Sequence, residues 1–226
     1  AFTIDAAGSL TAVSGSPFTS GGSAPQNLEV APSGEYLVVT NAASDNFDIF
    51  LINGTTGALT AMSGSPFAAG DEPQGLSIDP SSTRLIISNC LDDSFSAFEI
   101  SPLDGDFAEY SGSPFAGPDC QDSSVFNEDG RFLYVDGLNS FNGYSVEGDG
   151  TLVELSESPY PEIGYNTDQG VALSWDGNHV ITTGRATVTG ENSLVVFEVL
   201  PDGNLTRETY SPVPVPRVTF EVQSHP

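Results

Sequence analysis

Eight polar residues recur at matched places along this chain and make the pattern best suited to binding. Gln26, Gln74, Gln121 and Gln169 each open a repeated unit, just ahead of a strand-like run. Asn41, Asn89 and Asp136 follow the second strand-like run of their units, and Gly184–Arg185 holds that place in the fourth. Amides both donate and accept hydrogen bonds, so a ring of them suits the oxygens of a sugar or a lactone. The same residues suit the capping of strand ends and the binding of water, and the sequence leaves both readings open.

The remaining chemistry is sparse. Cys90 follows one second strand and Cys120 leads into the next unit, so both are expected on one face of adjacent units as a disulfide. Its 30-residue loop would stabilise the fold by about 3 kcal/mol. Two buried free thiols are the alternative, and the spacing does not suit zinc. Asn53-Gly-Thr and Asn204-Leu-Thr are sequons in or beside turns, hence expected to be exposed and open to glycosylation. Acidic turns such as LDGD (103–106) and EGDG (147–150) could hold calcium; they lack the spacing of an EF-hand loop and also read as solvated hairpin turns. No other cofactor and no metal site is expected. Neither a GxSxG elbow, a phosphate-cradling loop nor an HExxH motif occurs, and the two histidines, His179 and His225, are too far apart to assign a triad.

Charge narrows the partners. The 226 residues hold 31 acidic side chains, five Arg and no Lys, for a net charge of −26. Such a surface repels phosphate backbones and anionic lipid, which argues against nucleic acid and membrane surfaces. It fits a high-salt setting, where ions screen the self-repulsion, or bound divalent cations, or simply an acidic secreted protein. No run of about 18 apolar residues is present to span a bilayer. No signal peptide is visible, and the opening AFTID reads as the start of a mature product. With the cysteine pair and the sequons, this points to an extracellular or cell-surface protein.

The elements that must position these residues are announced by a repeated phrase. A Gly followed eight residues later by Ser-Pro recurs as Gly8/Ser16, Gly57/Ser65, Gly105/Ser113, Gly150/Ser158 and Gly203/Ser211. The Ser-to-Ser steps are 49, 48, 45 and 53 residues, a period that marks a repeat architecture. Each full unit carries four short β-branched and aromatic runs bounded by Gly, Pro, Asn or Asp. In the first they are 27–30, 36–40, 47–52 and 59–62. Hairpin chemistry joins the first two runs at PSG (32–34), PSS (80–82), EDG (128–130) and WDG (175–177). Each third run carries an aromatic and a β-branched residue two apart: Phe2/Ile4, Phe50/Ile52, Phe98/Ile100, Tyr144/Val146 and Phe197/Val199. Alternation puts both on one face, where they are expected to pack between neighbouring sheets. Four antiparallel strands per unit predict an all-β propeller of four-stranded blades.

The stretches YLVVTNAASDNFDIFLINGTTGALTAMSGSPF (36–67), RLIISNCLDDSFSAFEISPLDGDFAEYSGSPF (84–115) and RFLYVDGLNSFNGYSVEGDGTLVEL (131–155) resemble the repeat of lactonase-like seven-bladed β-propellers, with a looser copy at 179–213. The resemblance implies that fold over nearly the whole chain. It also implies relatives such as 6-phosphogluconolactonase-like and carboxymuconate-cyclase-like enzymes, alongside secreted and surface repeat proteins. Such enzymes are expected to gather Arg, His and acidic groups around the central channel, whereas Arg84, Arg131, Arg185 and Arg207 lie scattered here.

Counting units gives one incomplete propeller domain. Residues 1–18 form a partial blade, and full blades span about 19–67, 68–115, 116–160 and 161–212, with a tail at 213–226. That makes 2 + 4 × 4 = 18 strands. Open blade edges invite completion by other chains or by self-assembly through strand addition. The tail 213–222 could instead supply one closing strand of an irregular five-bladed ring. The expected role is a scaffold or binding module that takes a carbohydrate or lactone, with a sugar-lactone hydrolase as the alternative.

Overall fold

The computed structural model describes residues 1–101, 106–138, 140–160, 165–186, 192–209, 211 and 213–214. The tail with Gln223 and His225, most of the LDGD turn and the side chains of Gln169 and Arg185 lie outside the described residues.

The repeats fold as separate antiparallel sheets. A two-stranded ribbon, β1 (Phe2–Ile4) and β2 (Leu10–Ala12), comes first. The first full blade is β3 (Pro25–Val30), β4 (Tyr36–Asn41), β5 (Asn46–Ile52) and β6 (Leu59–Ala61), hydrogen-bonded in chain order, with β7 (Phe67–Ala68) returning to pair β5. The second blade is β8 (Pro73–Ile78), β9 (Arg84–Asn89), β10 (Ser94–Ser101), β11 (Asp106–Glu109) and β12 (Phe115–Ala116). The third is β13 (Gln121–Phe126), β14 (Phe132–Gly137), β15 (Phe141–Val146) and β16 (Leu152–Glu154). The fourth is β17 (Tyr165–Leu173), β18 (His179–Ala186), β19 (Asn192–Val199), β20 (Leu205–Arg207) and β21 (Val213–Pro214). All eighteen expected strands are present, and the first strands of successive blades lie side by side. The protein is a β-propeller of four-stranded antiparallel blades. The short β7, β12 and β21 were not anticipated. They are too brief to show alternation in sequence and exist because the chain re-crosses the third strand on its way to the next blade.

The repeated phrase now has a physical meaning. Gly8, Gly57, Gly150 and Gly203 take φ of 83°, 71°, 82° and 84° at the turn between third and fourth strands, a left-handed conformation that a Cβ disfavours. Past the fourth strand, the Ser of Ser-Pro ties the turn back onto the third strand. Ser65, Ser113, Ser158 and Ser211 each accept, at Oγ, the backbone N–H of Ile49, Ala97, Gly143 and Val196. That amide would otherwise be left unpaired where the fourth strand ends.

Neighbouring blades are cemented by aromatic pairs, as the third-strand alternation predicted. Phe47 meets Phe98 at 5.0 Å, Phe95 meets Tyr144 at 5.4 Å, and Phe141 meets Phe197 at 5.4 Å. Each contact joins one blade's third strand to the next, inside an apolar cluster shared by the two sheets. The ribbon's Phe2 and Ile4, at the same repeat position, are exposed.

Candidate functional site

One face of the propeller gathers two sets of loops. In the first three blades the loop leading into the first strand bonds to the loop after the second: Ala42 N–H to Ala24 O, Cys90 N–H to Glu72 O and Leu138 N–H to Asp119 O, at 3.0, 3.0 and 2.9 Å. Carboxylates then clasp each blade to the next. Asp45 Oδ1 accepts Glu72 N–H at 3.1 Å, and Asp93 Oδ1 accepts Cys120 N–H at 3.0 Å. Cys90 and Cys120 are joined as a disulfide across the second and third blades. The first strand of every blade bulges at this end, between Pro25/Leu28, Pro73/Leu76, Gln121/Ser123 and Thr167/Val171. A bulge re-aims side chains; Gln26, Gln74 and Gln169 sit within it, and Gln121 flanks it, paired with Gly137.

The eight expected rim residues divide sharply. Gln26 is exposed, and half-buried Gln74 donates from Nε2 to Glu72 Oε1 at 3.1 Å. The others with described side chains are buried and turned inward. Asn41 is fully buried and donates to Asn46 and Asp48, both at 2.9 Å. Asn89 donates to Ser94 and Ser96 and accepts Gly70 N–H at 3.0 Å. Gln121 is buried and folds back onto the Pro118 carbonyl. Asp136 accepts Gly170 N–H at 3.3 Å and the Thr182 hydroxyl at 2.9 Å. Of the two readings the sequence left open, the burial of Asn41, Asn89, Gln121 and Asp136 favours the capping of strand ends over a solvent-facing rim at these positions. At strand ends an amide is worth more as a buried bridge between crossing chains than as a solvated ligand. Gly70 shows how close the chains run, since a Cβ there would meet Asn89 Cγ at 2.6 Å.

The sequons also separate. Asn53 is exposed, its Oδ1 accepting Thr55 and Thr56 N–H at 3.0 Å. Asn204 is buried, donating to Asp202 and Ser156 and accepting Glu157 N–H, so the exposure expected of it is corrected. Its turn lies under the neighbouring blade rather than in solvent. In the EGDG turn, Asp149 caps Thr151 N–H. Among the described residues, no group of three or more His, Cys, Asp or Glu is placed to hold a metal.

What the loops do form is a cavity of about 400 Å³ between the first and second blades, lined by Gln26, Ala42, Asp45, Asp71, Glu72 and Leu91 among others. Sequence reasoning did not single out its acids, although Asp45 and Asp71 recur one period later as Asp93 and Asp119, because which loops meet across a blade boundary is decided by packing. Partial desolvation, then the charges of Asp45, Asp92 and Glu72, raise the Asp71 carboxyl above its ordinary range. Deeper, on β3, burial lifts Glu29 to about 7 against the opposing pull of the Ile78 N–H it accepts. A second hollow, about 700 Å³, lies at the outer edge between the third and fourth blades, lined by Tyr160, Phe197, Asn204 and Arg207. Its counterpart recurs between the second and third blades at Phe115, Asn142, Tyr144 and Glu154, so it is the ordinary gap between neighbouring sheets.

The basic residues with described side chains sit elsewhere. Arg84 donates to Gly130 O in the next blade's first hairpin turn, and Arg131 pairs with Asp129 at 2.7 Å in that turn. His179 meets Glu208 at 3.3 Å, and Arg207 donates to Ser211 O.

Comparison with known proteins agrees with this architecture. Residues 1–71 match the sequence model of the family described as "Lactonase, 7-bladed beta-propeller". No sequence among curated proteins matches the chain. A "putative 6-phosphogluconolactonase" from Bacteroides uniformis superposes with a TM-score of 0.74 at 16% identity, over 94% of this chain and 65% of that one. Another so described, from Bacteroides fragilis, gives 0.72 at 19% identity, over 94% and 65%. The periplasmic gluconolactonase of Pseudomonas aeruginosa gives 0.61 at 19% identity, over 84% and 58%. At these identities the likeness establishes the fold. This chain spans less than two thirds of each of those structures. It resembles the lactonase-like seven-bladed propellers.

Proposed function

We propose that the protein is part of a lactonase-like propeller that receives a sugar lactone in the cavity between the first two blades. The observation that carries this reading is that the segment matching the lactonase family, residues 1–71, supplies Gln26, Ala42, Asp45 and Asp71 to that cavity. Gln26 would hold substrate hydroxyls. The Asp45–Asp71 pair, with Asp71 raised, suits acid–base work, since two adjacent carboxyls readily hold one proton between them. Water would add to the lactone carbonyl while the carboxylate takes its proton. The carboxylic acid would return a proton to the departing ring oxygen, giving the open hydroxy acid. A disulfide between the only two cysteines fits an oxidising compartment, so the proposal places the protein outside the cytoplasm.

Hydrolysis of D-glucono-δ-lactone, measured by pH-stat above the spontaneous rate, tests this. Turnover that falls at least ~10-fold in Asp71→Asn supports it. A wild-type rate equal to background, or an unaffected Asp71→Asn, overturns it. A binding module without catalysis is the second reading. It is favoured by the placement of Arg84, Arg131, His179 and Arg207 away from this cavity. Calorimetric binding of the lactone with no turnover would select it.

A further inference from the structure

The gap between the second and third blades has a shape that the next boundary repeats, but its polar lining is its own. Two positions in each blade set that lining: the residue two before the third-strand aromatic, and the fourth-strand residue opposite that aromatic. Both fall on one face of the sheet. From the first blade to the fourth they read Asp48/Ala61, Ser96/Glu109, Asn142/Glu154 and Val195/Arg207. Only the third blade pairs an amide with a carboxylate there. Asn142 Nδ2 donates to Glu154 Oε1 at 2.9 Å, and the Ser158 hydroxyl donates to the same oxygen at 2.8 Å.

That bond fixes which end of the amide is the donor and leaves its oxygen unsatisfied. Asn142 is 6% exposed, and among the described residues its Oδ1 accepts no hydrogen bond. In the first two blades a second-strand asparagine serves the matching side chain: Asn41 donates to Asp48 at 2.9 Å, and Asn89 donates to Ser96 at 3.0 Å. The third-strand register puts Gly137 in that place, and a glycine has no side chain to donate. A buried acceptor without a donor is costly, so a donor is what this position lacks. Asn142 lines a cavity of about 350 Å³ together with Phe115, Pro118, Tyr144, Leu152 and Glu154. Phe115 and Tyr144 give it flat apolar walls. The Tyr144 phenol, held protonated by burial and then by the charge of Glu154, is a donor beside the two acceptors.

We infer that this cavity is a binding site for a neutral pyranose sugar, separate from the cavity between the first two blades. One sugar hydroxyl donates to Asn142 Oδ1 and another to the Glu154 carboxylate, while the C–H face of the ring lies against Phe115 and Tyr144. The terminal torsion of an asparagine is broad, so a small rotation brings Oδ1 to a hydroxyl presented from the cavity. Phosphorylated and carboxylated sugars are turned away by Glu154, since among the described residues no basic side chain lines the cavity. The fourth blade, with Val195 and Arg207 at the two positions, has the gap without this chemistry.

Methyl β-D-glucopyranoside, a neutral sugar with no ester to hydrolyse, tests the inference by NMR titration of the ¹⁵N-labelled protein. We expect saturable 1:1 shifts of the Asn142 side-chain amide and of the Phe115 and Gly117 N–H signals, with a Kd on the order of 1 mM. Asn142→Val and Glu154→Ala install the residue types that the fourth and first blades carry at these positions, Val195 and Ala61, so both strands are kept. Each should weaken binding at least ~10-fold, read at Phe115 and Gly117. The absence of saturable shifts, or an unchanged affinity in Asn142→Val, would overturn the inference. So would shifts gathered instead at Gln26, Ala42 and Leu91, which would put the sugar in the other cavity. Methylammonium chloride moving the same signals as strongly as the sugar would also overturn it, since the carboxylate alone would then be the attraction.

Discussion

The Tyr36 hydroxyl donates to the Ser82 carbonyl at 2.9 Å, bridging the first two blades with both residues buried. Burial, then the charge of Asp79, pushes the Tyr36 phenol well up, so it remains a donor at every working pH. Tyr36→Phe keeps the ring and strands the carbonyl. It should cost about 1–2 kcal/mol in urea unfolding with an unchanged m-value.

Reduction of Cys90–Cys120 frees a link between the second and third blades that spans 30 residues. The Cys90→Ser/Cys120→Ser double variant should be less stable by about 3 kcal/mol. Reductant should destabilise the wild type and leave the double variant unchanged, which differential scanning calorimetry reads directly.

Asn89 should behave as structure, not as ligand contact. Its side chain makes three hydrogen bonds with full burial, so Asn89→Ala leaves Gly70 N–H and two hydroxyls without it. A loss of about 3 kcal/mol is expected. Lactone affinity, measured on protein that remains folded, should stay within about 2-fold of wild type, a change below 0.5 kcal/mol.

Glu29 gives the protein a pH dependence of defined sign. Its folded value of about 7 lies above that of an exposed carboxyl, so the folded state holds a proton that the unfolded chain has released. This contribution is fully present below the unfolded pKa and is lost as pH rises through about 7. Glu29→Gln should remove that slope and leave the variant more stable than wild type at pH 8, by about 2 kcal/mol. Thermal denaturation of both proteins from pH 5 to 8 checks it; parallel curves would show that Glu29 does not carry the effect.

The blades were legible in the sequence because their causes are local and repeated. Gly57 must turn, Phe50 and Ile52 must share a face, and the same demands return with every unit. The disulfide was legible for the same reason, since strand order alone brings the loops of Cys90 and Cys120 to one side. The sequence could not choose between ligand rim and strand-end cap where position and direction part company. Asn41 and Asn89 stand at the right end of their strands, yet point into the crossing of two chains, which only packing decides. Asn204 likewise occupies a turn, but one roofed by Ser156 and Glu157 of the neighbouring blade. The Asp45–Asp71 proximity joins a residue after one blade's second strand to one in the next blade's entry loop; the repeat carries its trace as Asp93 and Asp119, but only the packing of the two loops shows that such positions meet.

The pairing of Phe47 with Phe98, Phe95 with Tyr144 and Phe141 with Phe197 obeys one rule: each ring seeks a partner one sheet further on. A gene encoding such a chain can gain or lose a complete period, and every surviving ring still finds a mate. Removing half a period breaks the succession at the join. The length of proteins built this way is therefore free to change only in whole steps.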